Sequence, residues 1–202
     1  MSKMNNTAQA IIYETIREKI LNGDYTSNTK LTETKLAEEF KVSRTPVREA
    51  IYRLKQEGLI KNNRIYKPTE TDFRHHFEMR ILIESYAARM AANYMSESNI
   101  NKLQKCIDIA RKGDSDDIVQ INKKYHDLIV QESRNPIMID TVDKMGSIIY
   151  LFSRTVVLHE RPFLIDEHQQ IKDAILKRNP DKAAKLMKQH LKTDLEFSLN
   201  VI

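Results

Sequence analysis

LTETKLAEEFKVSRTPVREAIYRLKQEGLI, residues 31–60, is the stretch from which the rest of the chain is read. It spells two short helices, about 33–40 and 44–57, joined by a tight turn. Thr32 and Ser43 stand where an N-cap hydroxyl accepts an amide hydrogen of the opening turn. Pro46 falls among the first helical residues, whose amides lack intrahelical partners. At about 100° per residue, Val47, Ala50, Ile51 and Leu54 share one face, and Arg44, Arg48, Tyr52 and Lys55 share another. The first face suits a core, and the second is a cationic comb. A duplex major groove admits an α-helix, and arginine bonds both acceptors of guanine. The pattern therefore spells a helix-turn-helix. A surface helical hairpin with solvated charges has the same periodicity, and pattern alone does not separate the two.

Upstream, residues 1–7 are polar, and a helix beginning near Ala8 carries Ile12, Ile16, Ile20 and Leu21. Asn22, Gly23 and Asp24 stop it. It supplies one wall of a small three-helix domain. Downstream, Gly58 ends the second helix of the pair, and LIKNNRIYKP, residues 59–68, spells a short hairpin. Asn62 and Asn63 must make its turn, since asparagine tolerates left-handed backbone. Lys61, Arg64 and Lys67 make this hairpin basic, suited to phosphate or minor-groove contact, or else to plain solvation as a loop.

Beyond Pro68 the periodicity is helical throughout, with helices expected over 71–94, 97–111, 115–132, 136–159, 163–178 and 180–198. Gly113, Asn135–Pro136, Arg161–Pro162 and Asn179–Pro180 punctuate them. The reading is a mainly α chain. Residues 1–68 form a winged helix-turn-helix with a small β wing, and 69–202 form a six-helix antiparallel bundle.

The bundle carries the second set of candidate residues. Phe73, Phe77, Ile81, Ala88 and Ala91 lie close together on its first helix, and Arg80 and Glu84 fall in the same sector. Charges on an apolar stripe need partners. The two can pair with each other across one turn, or Arg80 can hold an organic acid, because guanidinium matches carboxylate geometry. Asn122 and His126 share a face of the third helix, and His168 and His190 fall on the fifth and sixth. Three imidazoles converging in a bundle suit zinc or another borderline divalent ion. Spacing is equally compatible with separate surface or hydrogen-bonded histidines. His75 and His159 are read as structural or exposed.

Composition sets the outer bounds. The 202 residues can bury a substantial core, and a formal net charge of +5 favours encounter with polyanions without proving it. The single cysteine, Cys106, excludes an intrachain disulfide framework. No run is apolar enough to span a bilayer, and the start lacks the apolar core of an export signal, so a cytoplasmic location is the default.

KLAEEFKVSRTPVREAIYRLKQEGLI, residues 35–60, closely resembles the winged-helix signature of the GntR superfamily of bacterial transcription regulators, with SRTPVREA the most specific part. Two departures stand out. The wing lacks the usual glycine near its tip, and Thr34 stands where relatives often carry an operator-reading arginine. Base reading therefore falls to Arg44 and Arg48, with Ser43, Thr45 and Lys55 positioning the backbone and Thr34 touching phosphate. Arg80–Glu84, KKYHDLI, EHQQIKDAI and AAKLMKQHL resemble the FCD ligand-binding domain of the FadR-type branch, and six helices make it look like the VanR-type subgroup.

Many such domains hold a divalent metal through an aspartate and three histidines. The histidine positions match His126, His168 and His190, and the aspartate position is Asn122. Asparagine offers a carbonyl oxygen but no charge, so weaker binding of zinc or nickel is expected. The resemblance implies a metabolite-responsive repressor that binds a palindromic operator as a homodimer, with a small organic acid as effector. The competing classes are a metal-dependent hydrolase built on the histidines and a non-specific structural DNA-binding protein.

Overall fold

A computed structural model describes residues 8–66, 68–113, 115–158 and 160–201. The segment 1–7, Lys67 of the wing and His159 lie outside the described residues. The chain divides into two compact units, Met1–Thr69 with Lys144–Ile148, and Glu70–Asp143 with Ile149–Ile202.

The first unit contains α1 (Ala8–Leu21), α2 (Glu33–Phe40), α3 (Arg44–Gln56) and a two-stranded hairpin, β1 (Ile60–Lys61) and β2 (Arg64–Ile65). Thr32 caps α2 as its spacing requires, its Oγ1 accepting the Lys35 amide at 3.3 Å. Lys41 ends α2 in the left-handed region at φ 54°, which turns the chain toward α3. Ser43 has the extended backbone of an N-cap, but its hydroxyl makes no capping bond, contrary to the sequence expectation. The apolar face of α3 is buried as its periodicity predicts, through Val47, Ala50, Ile51 and Leu54, and α3 packs on both α1 and α2. The wing forms without its glycine. Asn62 and Asn63 both take positive φ, 51° and 57°, and Lys61 pairs with Arg64 across the turn. This is the two-residue geometry whose twist suits a hairpin.

Leu54 has no exposed surface. Leu54→Ala should destabilise the first unit by about 2–5 kcal/mol, the usual result of opening a cavity at such a site. Urea denaturation of the variant checks this, and a loss below about 1 kcal/mol would contradict the packing described.

The second unit, completed by 144–148 of the first, is built on α4 (Glu70–Tyr94), α5 (Glu97–Ala110), α6 (Ser115–Gln131), α7 (Pro136–Lys144), α8 (Gly146–Leu158), α9 (Leu164–Leu176) and α10 (Pro180–Val201). The Asn-Pro pairs work as helix starts. Asn135 Oδ1 accepts the amides of Ile137 and Met138 at 3.0 and 3.4 Å, and Asn179 Oδ1 accepts that of Lys182 at 3.1 Å, each with proline in the first helical position. One expectation needs correction. The single helix read over 136–159 is broken at Met145, so the described residues hold seven helices after Thr69. The apolar periodicity runs through the break and hides it, while Gly146, a poor helix former, opens the new helix. A helix count of six thus no longer supports the VanR-type assignment.

The long helix α4 lies along α10 and also packs on α6 and α9. Ala87, Ala88, Ala91 and Ala92 are all buried, and such small side chains allow close helix approach. Ile81, expected in the core, is only half-buried, and Ile83 is buried in the stripe instead. Among the described residues no helix is long and apolar enough to cross a membrane.

Candidate nucleic-acid interface and candidate metal centre

On the first unit, the cationic face of α3 is open. Ser43, Arg44, Thr45, Arg48 and Lys55 are exposed, as are Thr34 on α2 and Arg64 on the wing. Arg44 and Arg48 stand one turn apart, with side chains 61% and 63% exposed. Both reach Glu33 in the first turn of α2. Arg48 Nε and Nη2 donate to the two carboxylate oxygens of Glu33 at 3.1 Å each, and Arg44 Nη2 donates to Oε2, also at 3.1 Å. Arg64 donates from Nη1 to the Asn28 carbonyl at 2.8 Å, so the wing arginine is tethered to the loop before α2. Lys55 lies on the same face as Arg44 but about 16 Å further along the helix, at about 1.5 Å per residue, so it does not join the arginine cluster. Glu57, the residue after α3, is buried and accepts from Tyr13 Oη at 2.6 Å and Arg53 Nε at 3.0 Å, which fixes the far end of the reading helix to α1.

In the second unit, three helices bring the predicted histidines together. His126 of α6, His168 of α9 and His190 of α10 are buried. His190 Nε2 lies 3.3 Å from His126 Nε2 and 3.2 Å from His168 Nε2, so the alternative of separate histidines falls away. Carboxylates approach two of the rings. Glu84 Oε2 lies 2.6 Å from His126 Nδ1, and Glu167 Oε2 lies 2.8 Å from His190 Nδ1. An ionised carboxylate only accepts, so His126 Nδ1 carries the proton and that ring presents its lone pair at Nε2, whereas His190 Nδ1 lies between the accepting Glu167 and the donating Arg161 Nη2 at 3.3 Å. Ring nitrogens 3.2 and 3.3 Å apart share either a proton or a metal ion. With metal–nitrogen bonds of about 2.0–2.1 Å, tetrahedral coordination sets nitrogens about 3.3 Å apart and octahedral coordination about 2.9 Å. The donor set therefore fits a divalent metal ion. The Glu-His contacts are the usual outer support of such ligands.

Burial drives the His126 pKa down, against the pull of Glu84. Burial, with His190 and His126 adding to it, drives that of His168 well below the ordinary value. Both rings are thus kept neutral, as metal ligation requires. Burial works to raise the Glu84 carboxyl, but the charge of Arg80 and the hydrogen bonds from Arg80 and His126 overcome it and hold it low, at about 2.

Arg80 is buried on α4, and its Nε donates to Glu84 Oε1 at 2.6 Å. Arginine and glutamate thus pair across one turn, and the pair also continues to His126. Arg80 remains near enough to act electrostatically on both His126 and His168. Asn122 is buried on α6, one turn before His126. It lines a small cleft with His168 and Tyr125, whose ring stacks on that of His168 at 4.2 Å between centroids. The cleft shares Ala110, Ile118, Leu164 and Ile165 with a wider cavity of about 620 Å³ whose wall includes Arg111, Arg161 and Phe163.

Sequence reasoning did not find Glu167, Arg161 or Asp194. Arg161 is buried, donates from Nε to Asp194 Oδ1 at 2.6 Å, pairs with Glu167, and so fixes the carboxylate that orients His190. Asp194 follows His190 by one helical turn, which is a readable signal, whereas Glu167 reaches His190 from a different helix and no spacing announces it.

Comparison with known proteins finds family matches for both parts of the chain. Residues 8–64 match the family described as bacterial regulatory proteins, gntR family, and residues 75–193 match the FCD domain. The chain is 30% identical to the HTH-type transcriptional repressor RspR of Escherichia coli (strain K12), over 89% of this chain and 84% of that protein. It is 26% identical to the uncharacterized HTH-type transcriptional regulator YdhC of Bacillus subtilis (strain 168), over 94% and 90% of the respective chains. Its fold is similar to that of E. coli McbR/YncC, with a TM-score of 0.76, 15% identity, and coverage of 96% of this chain and 98% of that one. The chain belongs to the GntR family of regulators with an FCD domain and is a DNA-binding transcriptional regulator.

Proposed function

We propose that this regulator is a metabolite-responsive repressor. On this reading the first unit holds a palindromic operator and the second binds a small organic acid beside a divalent metal ion. The observation that carries it is the convergence of three buried imidazoles, with His190 Nε2 3.3 Å from that of His126 and 3.2 Å from that of His168. His168 completes the set, with a cavity of about 620 Å³ adjoining through a cleft that reaches His168 and Asn122. Ligand sites of this size suit small metabolites. His126, His168 and His190 hold the metal, with the carbonyl of Asn122 as a neutral further donor. An effector carboxylate would be attracted to such an ion, with the buried Arg80, paired to Glu84, contributing charge from behind the histidines.

On the first unit, Arg44 and Arg48 read bases. Ser43, Thr45, Lys55 and Thr34 meet phosphate, and Arg64 brings the wing to the backbone or minor groove. A single small helix-turn-helix makes few base contacts, and a two-fold pair doubles them. The homodimer is assigned to α4, where Met79, Leu82 and Tyr86 form an exposed apolar stripe at helical spacing. No catalytic step is needed in this scheme. The ligand shifts operator affinity by binding two arrangements of the dimer unequally.

Selection of duplexes from a random pool tests this reading. An inverted repeat should emerge, and its affinity should change when zinc and a panel of small carboxylates are titrated in. Recovery of unrelated sequences would favour a structural DNA-binding protein. Ester or amide hydrolysis that disappears in His168→Ala would favour an enzyme.

A further inference from the structure

Glu33 is the residue that the reading of the DNA face leaves unused, and it touches both arginines. It sits in the first turn of α2, and its carboxylate is the shared partner of Arg44 and Arg48. We propose that Glu33 is a specificity-determining residue that clamps both arginines for base contact and discounts their attraction to random phosphate. This rests on the assignment of base reading to Arg44 and Arg48.

The geometry is side-on. Glu33 takes the Nε and Nη2 edge of Arg48, one hydrogen bond to each carboxylate oxygen. Guanidinium has five donors in a rigid planar fork. An acceptor pair on the Nε–Nη2 edge leaves the opposite end, one hydrogen each from Nη1 and Nη2, directed away from Glu33. That end matches the N7 and O6 acceptors of guanine. Arg48 can therefore read a base while its other edge stays on Glu33. Arg44 is held by one Nη2 contact to the same oxygen that Arg48 uses, so the two guanidiniums are placed relative to one another by a single group.

Charge gives the second half of the effect. Two positive groups facing a duplex attract any phosphate, whatever the sequence. The carboxylate between them removes one unit of charge from that cluster, so random DNA sees less attraction. A correctly placed guanine edge still finds the fork preset. Specific binding loses little, non-specific binding loses more, and the ratio between them rises.

The test uses the full chain, the duplex recovered by selection, and a scrambled duplex of equal length, each titrated over a range of salt. Glu33→Gln should tighten binding to the scrambled duplex, steepen its salt slope by about one, and lower the specific-to-random ratio at least tenfold. Glu33→Asp keeps the charge on a shorter stem, so its salt slope should match wild type while the ratio falls. In an Arg44→Ala/Arg48→Ala background, Glu33→Gln should move the ratio less than twofold, because its partners are gone. An unchanged ratio in Glu33→Gln overturns the proposal. So does a full effect in the double-alanine background, which would give Glu33 a base contact of its own. If the two alanine variants themselves leave the ratio unchanged, it is the assignment of base reading that fails.

Discussion

Arg44→Ala and Arg48→Ala are each expected to weaken binding to the selected operator by about 1–3 kcal/mol, roughly five- to 150-fold, with a much smaller loss on scrambled DNA. The reason lies in what a guanidinium offers. Its donors are fixed in a plane, and a guanine edge presents two acceptors at matching separation. Removing it deletes two directional bonds from the specific complex but only a fraction of a charge interaction from the random one. Both side chains are more than half exposed and sit on a helix whose opposite face is buried, so truncation should leave the fold intact. Arg64→Ala, on the wing, should instead weaken both duplexes alike and reduce the salt slope by about one. Equal losses on operator and scrambled DNA for Arg44→Ala and Arg48→Ala would remove direct readout from α3.

His126→Ala and His190→Ala are expected to abolish stoichiometric metal in the purified protein, as read by elemental analysis per chain. Three nitrogens define the centre, and His190 is the one whose Nε2 contacts both others. Two remaining imidazoles would hold a divalent ion far more weakly. Unchanged metal content in both variants would eliminate the metal centre. Glu167→Gln is a gentler probe. It removes the charge that orients His190, and Arg161 retains Asp194 as a partner. Metal affinity should fall about 10–100-fold, the usual effect of losing such outer support. The equivalent change at Glu84 is less clean, since it would strand the buried Arg80 charge, a defect of about 3–5 kcal/mol in its own right. Asn122→Asp should act in the other direction and tighten metal binding by adding a negative donor beside His126.

Much of this protein is written in local pattern. The apolar face of α3, the capping of α2 by Thr32 and the Asn-Pro helix starts depend on neighbours within a few residues, and each was readable along the chain. The turn at Asn62 and Asn63 belongs with them, because left-handed backbone is a property of residue type. Where two local signals conflicted, the sequence misled. Apolar spacing carried one helix through Met145 although Gly146 allowed a break, and Ser43 had the right position for a cap without forming one.

The chain by itself thus determined most of the helices, most of the faces they bury, and that a DNA-reading head precedes a helical domain. Helical periodicity and capping are short-range effects, and residue order encodes them directly. Tertiary structure alone decided the rest. It chose convergence for His126, His168 and His190, gave Glu84 and Glu167 to two of them, and joined Arg44 and Arg48 through Glu33. Those contacts join side chains on different helices. Their distances follow from how the helices pack, and no spacing along a single strand of sequence contains that information.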